Sequence, residues 1–330
     1  MINNRYDFVI LFDVENGNPN GDPDAGNSPR IDAETGYGFV TDVCIKRKIR
    51  NYVELIKEGE EGYNILIKPD KSLNEKFTEA YEVLGLKNKQ EDENKQEGKK
   101  NPKGKKKKED EKNKEDVKKA REYMCKNYYD VRVFGAVMST GDDPCGIVRG
   151  PVQISFAKSM SPISIQDVTI TRQAFTKEEK VAQAKNETEM GRKSIIPYAL
   201  YRAEGYISAA QANKVTDMTE KDVELLWEAI INMFENDHSA ARGKMCTRKL
   251  YVFKHNNILG NAPSHILFDK ITVKEKDGVV VPRSFADYEI LVDKNMPDGV
   301  EIDESFADYE ILVYENMPEG VEIDEMVSEL

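Results

Sequence analysis

The chain has 330 residues, 39% of them hydrophobic, and 48 Lys and Arg against 60 Asp and Glu give a formal net charge of −12. That length can bury one elaborated core. With no run of eighteen apolar residues and no signal-peptide pattern at Met1–Phe8, a soluble, cytoplasmic protein without a membrane partner is expected. Cys44, Cys125, Cys145 and Cys246 form no C-x-x-C, and His238, His255 and His265 form no paired-ligand motif, so reduced thiols, no metal site and no cofactor are expected.

In chain order, Tyr6–Val14 is a nearly continuous apolar run, the pattern of a buried central strand. A carboxylate- and amide-rich loop, Asp13–Asp24, follows. Read as an EF-hand from Asn16 it has Gly21 at position six, but Asn16 replaces the first aspartate and Asn27 the bidentate glutamate, so calcium is not expected. Thr35–Val40 (TGYGFV) matches part of an RNP1 pattern without its basic first position or final aromatic, and a hairpin about Gly36 and Gly38 is expected instead. Thr41 to Lys57 then reads as a helix burying Ile45, Ile49, Tyr52 and Ile56.

Residues 87–119 hold 14 lysines against 9 acids and almost nothing apolar, which predicts a mobile charged insertion. Val131–Met138 and Ile147–Ala157 read as a hairpin, and Val168–Thr171 and Ile195–Ile207 as strands flanking a polar arm. Thr219 and Asp222 mark a helix start ahead of the stripe Val223, Leu226, Trp227, Ile230 and Phe234. Arg248–His255 alternates as a last strand. Ser284–Glu304 and Ser305–Glu325 are tandem copies differing at three positions, of which one is expected to fill a native slot. Residues 284–330 carry 15 acids and one lysine, so the charge outside the insertion and this tail is only −3, and a local basic groove is permitted.

The order strand-helix-strand-strand-helix-strand predicts an α+β fold: a ferredoxin-like, modified RNA-recognition core over residues 1–283, with insertions and a protruding arm at 172–193, followed by an acidic tail at 284–330. Lys46 and Arg50 lie four apart on the first helix, beside Arg47, on a face suited to phosphates. Arg30, Arg149-Gly150, Arg172, Arg192-Lys193 and Arg242 and Lys244 around Gly243 are further basic positions at turns and strand ends, where glycine lets backbone amides approach a phosphate. Phe175 and Met190 are apolar residues of the arm.

Arg5–Asp22 (RYDFVILFDVENGNPNGD), Pro29–Tyr52, Val131–Phe156, Met190–Ser208, Leu225–Phe253 and His255–Phe268 together resemble the backbone subunit of the type I-C CRISPR Cascade, in the Cas7 (Csd2) family of the RAMP superfamily. The resemblance implies a modified RNA-recognition fold with a thumb hairpin at 172–193. It implies a chain that repeats along CRISPR RNA beside other Cascade subunits, presents the guide to target DNA, and cleaves nothing. It also places Lys46 and Arg50 where the superfamily's first helix meets the RNA backbone. Related type III backbone subunits cleave RNA with an aspartate in the loop after the first strand, near Asp22 and Asp24 here, which makes a metal-dependent endoribonuclease the alternative.

Overall fold

The computed structural model describes residues 1–86, 103–172 and 189–304. At its centre is β1 (Tyr6–Gly17), the expected strand extended by three residues. Phe8, Ile10, Phe12 and Val14 enter one core and Val9 and Leu11 another. Burial on both faces explains why the run is continuously apolar instead of alternating. In the loop that follows, β2 (Gly21–Asp22) and β3 (Ser28–Pro29) form a two-residue ladder.

β1 pairs antiparallel with β10 (Glu189–Ile207) on one side and β11 (Lys244–His255) on the other. β7 (Val152–Ile154), β8 (Ala157–Pro162) and β9 (Gln166–Arg172) all pair with β10, and β4 (Tyr37–Val40) with β8. With β14 (Val300–Asp303) against β11, the sheet runs β14-β11-β1-β10-β8-β4. Between the pairs Glu15↔Tyr198 and Gly17↔Ile196 the ladder skips a step: Asn16 takes a φ of 51° opposite Pro197, which has no N–H to donate. Beyond that point β10 leaves β1 and pairs only with β9, as a two-stranded ribbon from Gln166↔Ile195 to Arg172↔Glu189.

One sheet face is covered by α1 (Asp42–Ile56) and a capped helix at Glu220–Asn232. Thr41 accepts from the Cys44 N–H at the first, and Thr219 and Asp222 close a capping box at the second. Ile45, Ile49 and Val53 meet Val223, Leu226, Trp227 and Ile230 there, with the Trp227 ring edge-on to Phe8 at 5.0 Å. The other face is covered by the C-terminal region: Leu267, Phe268, Ile271, Tyr288 and Val300 lie over Val9, Leu11, Tyr198, Leu200, Tyr251 and Phe253. Asp7 is buried on this face between Arg5 and His255. Because His255 Nδ1 accepts from the Asn261 N–H (2.8 Å), its Nε2 carries the proton donated to Asp7 (2.8 Å). A third core joins α2 (Leu73–Val83), α3 (Lys103–Asn127), α4 (Tyr129–Phe134) and the hairpin of β5 (Gly135–Met138) and β6 (Gly146–Arg149) through Phe77, Met124, Val131, Met138 and Val148.

Three expectations are corrected. Val131–Phe134, read as strand, is the end of α4, every residue of which is buried; a short apolar run has no period to tell helix from strand. The hairpin is therefore only β5 and β6, and Val152–Ile154 joins the main sheet. Residues 103–119, assigned to a mobile insertion, form the first part of α3; residues 87–102 lie outside the described residues. The Glu115–Lys119 pair (2.9 Å) supports a helix continuous with the buried Ala120 and Met124. Finally, the 283/284 boundary does not divide the fold. The first tail copy supplies β13 (Tyr288–Val292), paired with β12 (Ile271–Glu275), and β14, paired with β11; the second lies outside the described residues. Gly36 (φ 74°) turns the expected hairpin, and β4 forms its second arm.

Candidate nucleic-acid interface

Helical spacing puts Cys44, Arg47, Lys48 and Asn51 on one flank of α1. Facing them are the turn Asn18–Gly21 after β1 and the loop Ser239–Arg242 before β11. Gly17 lets the two loops touch, since a Cβ there would lie 1.8 Å from the Arg242 carbonyl oxygen. These residues line an open groove of about 450 Å³.

Asp237 organises the groove's cations: its carboxylate accepts from the ammonium of Lys48, whose side chain also lies 5.4 Å from the Phe234 ring centre, and from the guanidinium of Arg242. Arg47 donates to the Ile67 carbonyl (2.7 Å), and Arg30 faces Asp22 at 3.5 Å. Arg30 Nε and Asn18 Oδ1 are buried without a hydrogen-bond partner. Burial raises the Cys44 thiol, an effect opposed by Lys48, Arg242 and Arg30 and reinforced by Asp237, so all four charges converge on this point. Four cations set against Asp22 and Asp237 leave a local positive surplus in a chain of net charge −12.

A second basic cluster lies on another flank of α1. Lys46 pairs with Asp42 (2.9 Å), and Lys46 and Arg50 both lie over the Phe134 ring, at 5.6 and 5.2 Å. Arg50 is buried and donates to Asp130 (2.8 Å), which also accepts from the Leu66 and Ile67 N–H groups. Gly150 closes this cluster: a Cβ there would meet the Phe134 carbonyl carbon at 2.1 Å.

The family model for the CRISPR-associated protein Cas7 matches residues 4–293. The chain belongs to the Cas7 family. A Cas7 of Haloferax volcanii is 37% identical over 65 residues, 20% of this chain, so the match spans less than a fifth of that relative's length, 18%. Among solved structures, a chain of a pre-nicking CRISPR RNA-guided surveillance complex matches at TM-score 0.45 and 13% identity, covering 76% of this chain and 78% of that one. A chain of a second such complex matches at 0.41 and 11%, covering 76% and 68%. A chain of a type III-B Cmr-beta complex bound to cognate target RNA matches at 0.38 and 12%, covering 76% and 61%.

In this Cas7-family chain, Arg30, Arg47 and Arg242 come together at the groove, whereas Lys46 and Arg50 stand with Gly150 at the Phe134 cluster. Arg149 is exposed on β6 opposite Gly135. Arg172, Arg192 and Lys193 lie on the ribbon, with Met190 77% exposed there; Phe175 lies outside the described residues. Lys244 starts β11 opposite Glu15, near Asp13 on the other sheet face. Sequence reasoning missed Lys48, Asp237 and Asn18. Lys48 sits in the basic run 46–50, and plotting that run on a helical wheel separates it with Arg47 from Lys46 and Arg50. Asp22 accepts from the Asp24 N–H and faces Arg30, and among the described residues no group of three or more His, Cys, Asp or Glu could hold a metal ion.

Proposed function

We propose that this Cas7-family chain is the CRISPR RNA-binding backbone subunit of a type I-C Cascade, repeating along one guide in antiviral defence and presenting it to target DNA without cleaving nucleic acid itself. The observation that carries this reading is the groove in which Arg47, Lys48 and Arg242 converge, with Arg30 beside it, in a chain whose family match spans nearly its whole folded length. The inner sheet order β11-β1-β10-β8, with α1 and the Glu220–Asn232 helix as connections, supports a ferredoxin-like core of the RNA-recognition kind. The type I-C assignment rests on the long sequence motifs, and the ribbon on β9 and β10 is the counterpart of a thumb.

Phosphates neutralised at the groove leave base edges free, so the protein holds the backbone and base pairing reads the sequence. The sheet face itself is unavailable for base stacking, because Tyr251 and Phe253 are covered by the C-terminal region.

Co-expression with a repeat–spacer transcript, followed by native mass spectrometry, tests the reading. A ribonucleoprotein with several copies at one fixed stoichiometry is expected; only free monomer, or random loading, overturns it. Magnesium-dependent cleavage of the bound RNA, lost in Asp22→Ala or Asp24→Ala, would replace it with the endoribonuclease.

A further inference from the structure

The slot filled by the first tail repeat is a binding site for a 21-residue module, and the chain carries that module twice. In the slot, Tyr288 is buried with its hydroxyl 2.8 Å from Ser161 Oγ, Val300 is buried on β14 opposite His255 of β11, and Phe285 lies 5.5 Å from the Arg248 guanidinium. The entry turn is held by Asp287, whose carboxylate accepts from the Arg283 and Ser284 N–H groups (2.7 and 2.9 Å). Gly299, at φ 77°, fits where a Cβ would press on the Asn261 and Asn256 side-chain amides. The β12–β13 and β11–β14 ladders are backbone pairings, indifferent to side-chain identity.

Each of these requirements recurs 21 residues later, as Phe306, Asp308, Tyr309, Gly320 and Val321, and the register is kept because the copies are equal in length. The three differences, Asp293 to Tyr314, Lys294 to Glu315 and Asp298 to Glu319, fall outside the residues that fill the slot. They remove the counterparts of two surface ion pairs, Lys270–Asp293 and Lys294–Glu304.

We infer that the slot accepts either copy within its own chain: residues 305–325 can replace 284–304 against β11 and β12, with the displaced copy looped out between Arg283 and Ser305. The first copy holds the slot in most molecules, since exchange must close a 21-residue loop and forgo the Lys270–Asp293 and Lys294–Glu304 pairs. The second copy is a resident spare, and damage to the first is buffered.

The test uses the full chain. Tyr288→Ala with Val300→Asp disables the first copy in place, and the same pair is made in a chain lacking 305–325. Without the second copy, Tm should fall by roughly 5–15 °C, from the loss of one buried aromatic and the burial of a charge. With it, most of that fall should be absent. A disulfide reporter follows the exchange directly, because Thr272 and Leu291 are cross-strand partners at a spacing a disulfide can span. In a chain carrying Thr272→Cys, Leu291→Cys and Leu312→Cys together, the bond between positions 272 and 291 should dominate while the first copy is intact. The bond between positions 272 and 312 should become dominant, and intramolecular, once the first copy is disabled. Equal loss of Tm with and without 305–325 overturns the inference, as does a 272-to-312 bond that never forms or forms only between chains.

Discussion

Arg50 shows why a basic residue at helical spacing is not yet a phosphate contact. Its guanidinium is committed to Asp130, and Asp130 in turn ties down the Leu66 and Ile67 amides, so removing Arg50 strands a buried carboxylate. Arg50→Ala should cost about 3–5 kcal/mol, while Lys46→Ala, which loses a partly exposed i,i+4 pair, should cost under ~1 kcal/mol. Urea denaturation of the two single variants checks this. A double variant would report unfolding and RNA binding together. Arg242→Ala, at a side chain 41% exposed, is the sharper probe of the groove, because Lys48 is as buried on Asp237 as Arg50 is on Asp130: it should weaken guide binding and reduce its salt slope by about 0.7 for single-stranded RNA, measured by filter binding over a range of salt. Asp13 carries a pH signature. Burial raises its carboxyl above 3.8, with Arg248 and Tyr198 opposing. Between the unfolded and folded values the native state keeps a proton that the unfolded chain has lost, so unfolding free energy falls as pH rises through that window. Asp13→Asn should remove this slope from denaturation curves taken between about pH 4 and 7.

At the scale of elements, the ribbon on β9 and β10 is held by its own ladder, from Gln166↔Ile195 to Arg172↔Glu189. Replacing 173–188 with a short Gly/Asn turn keeps that ladder whole and should leave Tm within a few degrees. The same variant should alter protection of the guide in ribonuclease footprints of the assembled complex. The elements legible in the sequence are those whose period or cap is local. Thr41 and Thr219 announce their helices by side-chain oxygens three residues from the amides they satisfy, and β1 announces itself by apolar length. Val131–Phe134 was illegible because its helix is specified at long range: Arg132 binds Asp222 bidentately (2.7 and 3.1 Å) and three backbone carbonyls, of Gly62, Cys125 and Lys126. The groove was half legible for the same reason. Arg30, Arg47 and Arg242 could be named from glycines and charge, but Asp237, which lies 189 residues from Lys48 and joins it to Arg242, has no local signature.

For the whole molecule, the composition that first argues against a nucleic-acid partner is a matter of distribution. Acid concentrated in the tail leaves a groove of opposite sign on the helical side of the sheet. The covered second face predicts that Tyr251→Leu will cost stability but leave guide affinity of the folded protein unchanged, which thermal melts and binding at low temperature separate. The two buried cysteines should be equally silent: burial pushes the Cys125 thiol up to about 11 and Cys145 up to about 12, so neither should be alkylated at pH 8 until the fold opens. β10 has a mechanical consequence. Its ribbon half and its sheet half are one uninterrupted backbone, jointed only at Pro197 opposite Asn16, and the sheet half is zipped to β1 along nearly the whole of that strand. A pull on the ribbon along the strand therefore loads that ladder in shear, where many hydrogen bonds share the force. A sideways push bends the joint at Pro197 instead, so the arm is compliant in one direction and anchored in the other.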